Sequence, residues 1–172
     1  GTWRMVEKPV NCDIVSVKWI YVIKDDGRYK ARLVARGFEQ ESSSLDVYAP
    51  VVHMDTIRLF FAIVASFDMS LLQFDCANAF LNGDINEEVY IQQPPGFDDG
   101  TGRVCLLLKG LYGLRQSPRS WNKKFDDTIR DIGFQTSSFD PCFYFIKSGS
   151  EFTILCIYVD DVLLASNVPG RA

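Results

Sequence analysis

The chain has 172 residues, 47% hydrophobic and 23% charged, which is the balance of one globular domain and excludes a disordered or low-complexity chain. Its formal charge of −4 excludes nucleic-acid binding by bulk charge alone, so the placement of its basic residues matters more than their sum. The longest apolar runs, Leu59 to Phe67 and Phe152 to Val159, are too short to cross a bilayer, no signal pattern opens the chain, and five scattered cysteines lack a CxxC pair; the expectation is a reduced, cytoplasmic protein that is neither secreted nor membrane-bound.

Taken in order, Val17 to Lys24 alternates as a strand, Asp25-Asp26-Gly27 supplies turn chemistry, and Arg28 to Ala35 resumes an extended pattern with basic side chains interleaved, which predicts a basic hairpin. A serine-rich stretch, Glu41 to Ser44, separates it from Asp55, an expected N-cap. Apolar Ile57, Phe60, Phe61 and Val64 then recur at helical spacing to about Ser66. Leu71 to Asp75 predicts a short strand, with Leu72 and Phe74 on one face and Leu71, Gln73 and Asp75 on the other. Loops at Pro94-Pro95-Gly96 and at Asp98 to Gly102 precede a strand at Val104 to Leu108 and a glycine-punctuated connection at Gly110 to Arg115.

Ser117 as N-cap, Pro118 at the first helical position and the stripe Trp121, Phe125, Ile129 and Ile132 predict a second helix closed by Gly133. Cys142 to Lys147 and Phe152 to Val159 read as paired strands around Ser148 to Glu151. Val162 to Ala165 adds a third, which leaves Asp160 and Asp161 in a tight turn. The series predicts an α+β fold, with helices packed on one face of a mostly antiparallel sheet and the other face left for a partner.

His53 is the only histidine, which excludes a two-histidine metal site, and no D-T-G or D-S-G tripeptide marks an aspartic protease. Ten of the eighteen basic residues fall in two runs: Lys24, Arg28, Lys30, Arg32 and Arg36, then Lys109, Arg115, Arg119, Lys123 and Lys124, the second without an acidic residue. Such runs are solvated faces or phosphate contacts. Two adjacent carboxylates in a turn repel by about 4 kcal/mol at roughly 4 Å and an effective dielectric near 20, a penalty that a bound cation removes. An oxygen-only set suits magnesium, and a strand-end aspartate such as Asp75 can complete it. Aspartate is also a common turn residue, so the pair by itself leaves a bland alternative open.

Five ordered segments narrow the choice: Lys30 to Phe38 (KARLVARGF), Phe74 to Asp84 (FDCANAFLNGD), Glu88 to Phe97 (EVYIQQPPGF), Leu111 to Trp121 (LYGLRQSPRSW) and Tyr158 to Asp161 (YVDD). In order and spacing they resemble the reverse transcriptases of copia-type long-terminal-repeat retrotransposons. The resemblance implies fingers at residues 1–54 and palm at 55–172, with 84–115 returning toward the fingers. It implies an RNA-directed DNA polymerase that extends a primer 3′ end on an RNA or DNA template with dNTPs, using two magnesium ions, with manganese as an alternative. Asp75, Asp160 and Asp161 become the catalytic carboxylates, with Asp75, Asp160 and the Cys76 backbone carbonyl as metal ligands.

Lys30 and Arg32 match triphosphate contacts, and Phe80 the aromatic residue beneath the sugar, although a core phenylalanine fits as well. Gln116, Ser117 and Pro118 match the block that positions template and nucleotide, though a helix cap accounts for the last two. Tyr158 and Val159 match residues facing the primer end. The resemblance further implies virus-like particles as the setting and the rest of a Pol polyprotein as partner. Thumb and ribonuclease H are expected to be absent from this chain, and Leu45 to Pro50 runs a few residues shorter than the family pattern. The alternative expectation is an inactive truncated fragment that only binds nucleic acid through its open sheet and basic runs.

Overall fold

The computed structural model describes residues 1–40 and 47–168; the serine-rich stretch, with Leu45 and Asp46 of the shortened segment, lies outside the described residues. The first half holds β1 (Trp3–Val6), β2 (Ile14–Val15), β3 (Val17–Ile23), β4 (Tyr29–Ala35), α1 (Met54–Ser66), β5 (Ser70–Asp75) and α2 (Ala79–Asn82). There follow β6 (Tyr90–Ile91), β7 (Val104–Leu107), α3 (Ser117–Asp131), β8 (Gln135–Thr136), β9 (Phe143–Ser148), β10 (Glu151–Tyr158) and β11 (Asp161–Ser166). The fold is α+β, with mostly antiparallel sheets and helices packed against them. The chain divides into two compact units, Gly1–Tyr48 with Phe80–Trp121 and Ala49–Ala79 with Asn122–Ala172.

In the first unit, β1-β7-β6-β2 form one sheet, antiparallel except for the β2–β6 pair, and β3 and β4 form the expected hairpin. Alternation sorts the hairpin: Val17, Leu33 and Ala35 enter a core with Val15, Ile91, Cys105, Leu107, Leu111 and Leu114. Lys30 and Arg32, opposite Val22 and Ile20, take the other face. The Gly110–Arg115 connection runs backbone to backbone along the end of β4. Ala35 N–H donates to the Tyr112 carbonyl at 2.7 Å, and Gly37 N–H to that of Gly113 at 3.1 Å. Gly113 has φ +89, and a Cβ there would lie 2.0 Å from the Ala35 carbonyl oxygen, so this approach requires glycine.

In the second unit, β5-β11-β10-β9-β8 form one antiparallel sheet. Ile63 of α1 and Phe67, the residue that caps its C-terminus, line a hollow with Phe143, Phe145, Phe152 and Ile154, whereas Ile129 at the end of α3 lines another with Ile146, Thr153 and Leu155. These are alternate residues of β9 and β10, so the two helices meet opposite faces of the strands, one face more than the sequence pattern predicts. The alternation expected of β5 is present in its register, yet all six residues are exposed because β5 is the sheet's edge.

Two helix starts differ from expectation. His53, not Asp55, is the N-cap of α1: its carbonyl accepts the first helical bond from Ile57 N–H at 3.1 Å, and its own N–H donates to buried Asp140 Oδ2 at 2.9 Å. Asp55 falls in the first turn, where its charge still suits the helix dipole, bonded to Arg58 at 3.0 Å. In α3, Gln116 holds the cap position and Ser117 is the first helical residue, because Ser120 N–H donates to the Gln116 carbonyl at 3.0 Å. The end of α3 is as expected: Gly133, at φ +105, donates to the Arg130 carbonyl, and Phe134 N–H donates to that of Ile129.

Among the described residues no helix is long and apolar enough to cross a membrane. The described cysteines are free thiols, and burial pushes those of Cys142 and Cys156 up to about 12.

Candidate active site

In the second unit, β10 and β11 join through Val159 and Asp160 alone, with Tyr158 paired to Asp161. On the other side of β11, Asp75 at the end of β5 pairs with that same Asp161. Directly opposed residues of an antiparallel pair share a face, so Tyr158, Asp161 and Asp75 form one row across three strands. The Cys76 N–H donates to the Asp160 backbone carbonyl at 2.7 Å, which fastens the residue after Asp75 to the turn. Asp75 and Asp161 are exposed, Asp160 is half-buried, and Tyr158 is 52% exposed.

Burial raises the pKa of the half-buried Cys76 thiol, and the charges of Asp75 and Asp160 raise it further. Both carboxylates therefore act on the same sulfur atom. Opposed like charges destabilise a strand pair, and a divalent cation would reverse the sign. Among the described residues, no group of three or more histidine, cysteine, aspartate or glutamate side chains is arranged to hold a metal ion. Magnesium commonly takes one or two carboxylates and completes its octahedron with water and substrate phosphates, so the exposed oxygen donors fit that chemistry without a closed cage.

The first unit holds the other expected residues. The Arg32 guanidinium carbon lies 5.8 Å from the centre of the Tyr112 ring, and the half-buried Phe80 ring meets Tyr112 edge to face at 4.8 Å. Tyr112 thus joins two candidates that lie 48 positions apart in sequence. Sequence reasoning did not single it out; the signal was there, an aromatic residue between Gly110 and Gly113 ahead of the basic helix. Lys30 is half-buried on the same hairpin face as Arg32.

Gln116 is 5% exposed, its Oε1 accepts from Gln40 Nε2 at 3.3 Å, and its Nε2 is buried without a hydrogen-bond partner. Ser117 is fully buried, its hydroxyl donating to the Leu111 carbonyl at 2.8 Å and accepting from Leu111 N–H at 2.9 Å. That hydroxyl is fully used within the protein. Pro118 beside it is half-buried.

The basic runs are partly neutralised by carboxylates that lie within the first run or outside both. Arg28 pairs with Asp26 at 2.6 Å, Arg36 with Glu39 at 3.8 Å, Lys109 with Asp84 and Lys123 with Asp127 at 2.8 Å. Such exposed pairs contribute little stability, but they lower the local positive field.

The family described as reverse transcriptase (RNA-dependent DNA polymerase) matches residues 1–170. The chain is similar to the retrovirus-related Pol polyprotein from transposon TNT 1-94 of Nicotiana tabacum, 41% identical over 99% of this chain and 14% of the relative. It is 36% identical to that from transposon RE1 of Arabidopsis thaliana, over 98% of this chain and 12% of the relative. It is also 33% identical to the transposon Ty1-ER2 Gag-Pol polyprotein of Saccharomyces cerevisiae, over 89% of this chain and 9% of the relative. The chain therefore spans between 9% and 14% of the length of these three relatives.

Proposed function

Because the chain belongs to the reverse transcriptase family and is related to copia-type retrotransposon Pol polyproteins, we propose that it is the catalytic core of an RNA-directed DNA polymerase, adding deoxynucleotides to a primer 3′ end during retrotransposon replication. The observation that carries this reading is the row Asp75–Asp161–Tyr158, with Asp160 in the adjoining turn. It brings the acidic residues of two distant motifs to one end of three neighbouring strands.

In this reading the first unit corresponds to fingers and the second to palm. Asp75 and Asp160, with the Cys76 carbonyl, would hold the magnesium ions, and Asp161 supports them. When bound, the ions supply the Lewis acidity that activates a primer hydroxyl and neutralises charge on the phosphoryl oxygens. The chain's own residues bind and orient. Lys30 and Arg32 carry the positive charge that stabilises a pyrophosphate leaving group. Phe80 presents its ring to the sugar of the incoming dNTP, Gln116 offers an amide donor beside Ser117 and Pro118, and Tyr158 and Val159 border the primer end. The template is RNA or DNA, the remaining polyprotein regions, thumb and ribonuclease H, are partners, and cytoplasmic virus-like particles are the setting.

The test is magnesium-dependent extension of a primed homopolymer by the chain, with Asp75→Asn and Asp160→Asn as comparisons. The expected result is incorporation by the wild type and none by either variant. Incorporation unchanged in the variants overturns the assignment, and nucleic acid bound without turnover reduces the chain to a binding role.

A further inference from the structure

The first unit contains an amide relay whose orientation is fixed at one end. A backbone N–H can only donate, so the Arg115 N–H, 3.2 Å from Gln40 Oε1, decides which way the Gln40 amide faces. Its Nε2 then points at Gln116 and donates to Oε1 at 3.3 Å. That contact in turn decides the Gln116 amide: turned over, it would set two NH2 groups against each other. The outcome is a Gln116 side chain, 5% exposed, with its acceptor occupied and its Nε2 the buried side-chain polar atom without a partner among the described residues. Native structures rarely leave such a donor idle unless something else uses it.

We propose that Gln40 is a positioning residue that locks the Gln116 amide with Nε2 as a donor toward the incoming dNTP. The proposal rests on the reading of Gln116 as a nucleotide contact. Gln40 itself touches Arg115 and Gln116 and acts through the latter. Its backbone is anchored independently, its N–H donating to the Gly37 carbonyl at 3.2 Å, so the side chain can be changed without releasing the turn that carries it. The chemistry selected is that of an acceptor, a nucleobase carbonyl, ring nitrogen or phosphate oxygen; a donor presented to Nε2 would be rejected.

The test is a double-mutant cycle of Gln40→Met, Gln116→Met and both, since methionine keeps the chain length and removes the amide. The first readout is the two-dimensional spectrum of the 15N-glutamine-labelled chain titrated with dTTP and magnesium. The second is KM and kcat for dTTP in primer extension on poly(rA). In the wild type the Gln116 side-chain amide peak moves on titration. Gln40→Met weakens the apparent Kd and raises KM about fivefold, the worth of one neutral hydrogen bond, with kcat changed less than about twofold. In the Gln116→Met background, Gln40→Met adds nothing.

A Gln116 peak that does not move, or no nucleotide bound at all, overturns the Gln116 reading and this proposal with it. A Gln116→Met effect without any Gln40→Met effect overturns the positioning role alone. An equal Gln40→Met effect with and without Gln116 also overturns it, by showing that Gln40 acts elsewhere. Melting temperatures of the three variants identify any that fail to fold, and Gln40→Leu then replaces Gln40→Met in the cycle.

Discussion

Asp75→Asn should change the stability of the protein in opposite directions with and without magnesium. Asp75 lies directly across from Asp161, and its charge and that of Asp160 both act on Cys76. Two exposed carboxylates about 5 Å apart in water repel by roughly 0.8 kcal/mol, and directly opposed like charges on paired strands cost about 0.2–1 kcal/mol. Asparagine keeps the shape and removes one charge from the row. In EDTA the variant should therefore melt higher than wild type, by about 1–4 °C for a chain of this size.

Magnesium reverses the comparison. At about tenfold excess over Kd, a cation bound only to the native state adds about 1.4 kcal/mol, or roughly 3–6 °C, to the wild type. Asp75→Asn, short of one ligand, should gain little. Differential scanning fluorimetry across a magnesium titration, with potassium chloride at matched ionic strength, should give crossing curves. A variant that melts lower than wild type in EDTA refutes the charge row, and parallel curves refute Asp75 as a ligand.

Three further predictions concern contacts inside the protein. Ser117→Ala leaves the Leu111 N–H and C=O without their partner, which should cost about 2–4 kcal/mol and lower Tm by roughly 5–12 °C, measured by thermal circular dichroism. Asp140 is buried, which raises its pKa, but bonds from the Thr56 hydroxyl and the N–H groups of His53 and Cys142 outweigh that and hold it below the ordinary carboxylate value. Its stabilisation is thus complete above the unfolded pKa of about 3.9 and is lost as pH falls through the lower folded value. Asp140→Ala should cost about 3 kcal/mol in urea unfolding at pH 7, and the gap should narrow at progressively more acid pH. Tyr112→Leu removes the ring shared by Arg32 and Phe80 and should raise the dNTP KM in primer extension about fivefold, while Tyr112→Phe, which keeps the ring, should raise it less.

What the sequence revealed depends on where the deciding forces lie. The β3–β4 hairpin, α3 and the β9–β10–β11 meander are legible because alternation, a helical stripe and short turns are local signals. β1, β2 and β6 are not: they are two to four residues long, and partners far along the chain, Leu107 for Trp3 or Tyr90 for Ile14, decide that they are strands, while β8, paired with neighbouring β9, is two residues long and too short to show an alternation. The same division runs through the candidate site. Asp160-Asp161 stands out in the text, whereas the pairing of Asp161 with Asp75 across 86 positions depends on sheet register. Gln40 and Tyr112 escaped notice because their roles are contacts with other side chains, and no spacing rule encodes those.

The backbone around the acidic row adds an argument that composition could not supply. Among the described residues, the non-glycine residues at positive φ are Asn11, Asp68, Asn78 and Val159. Asparagine and aspartate tolerate that conformation because their side chains can bond locally, but a β-branched valine at φ 57 is strained, at a cost of about 1–3 kcal/mol. A two-residue hairpin turn would be easier with asparagine or glycine at that place. Strain of this kind persists only where neighbours over-determine the backbone, and the neighbours here are the Tyr158–Asp161 pair on one side and the Cys76 bond to the Asp160 carbonyl on the other. The strained valine therefore lies in the turn that carries Asp160, beside backbone bonds that hold that turn from both sides.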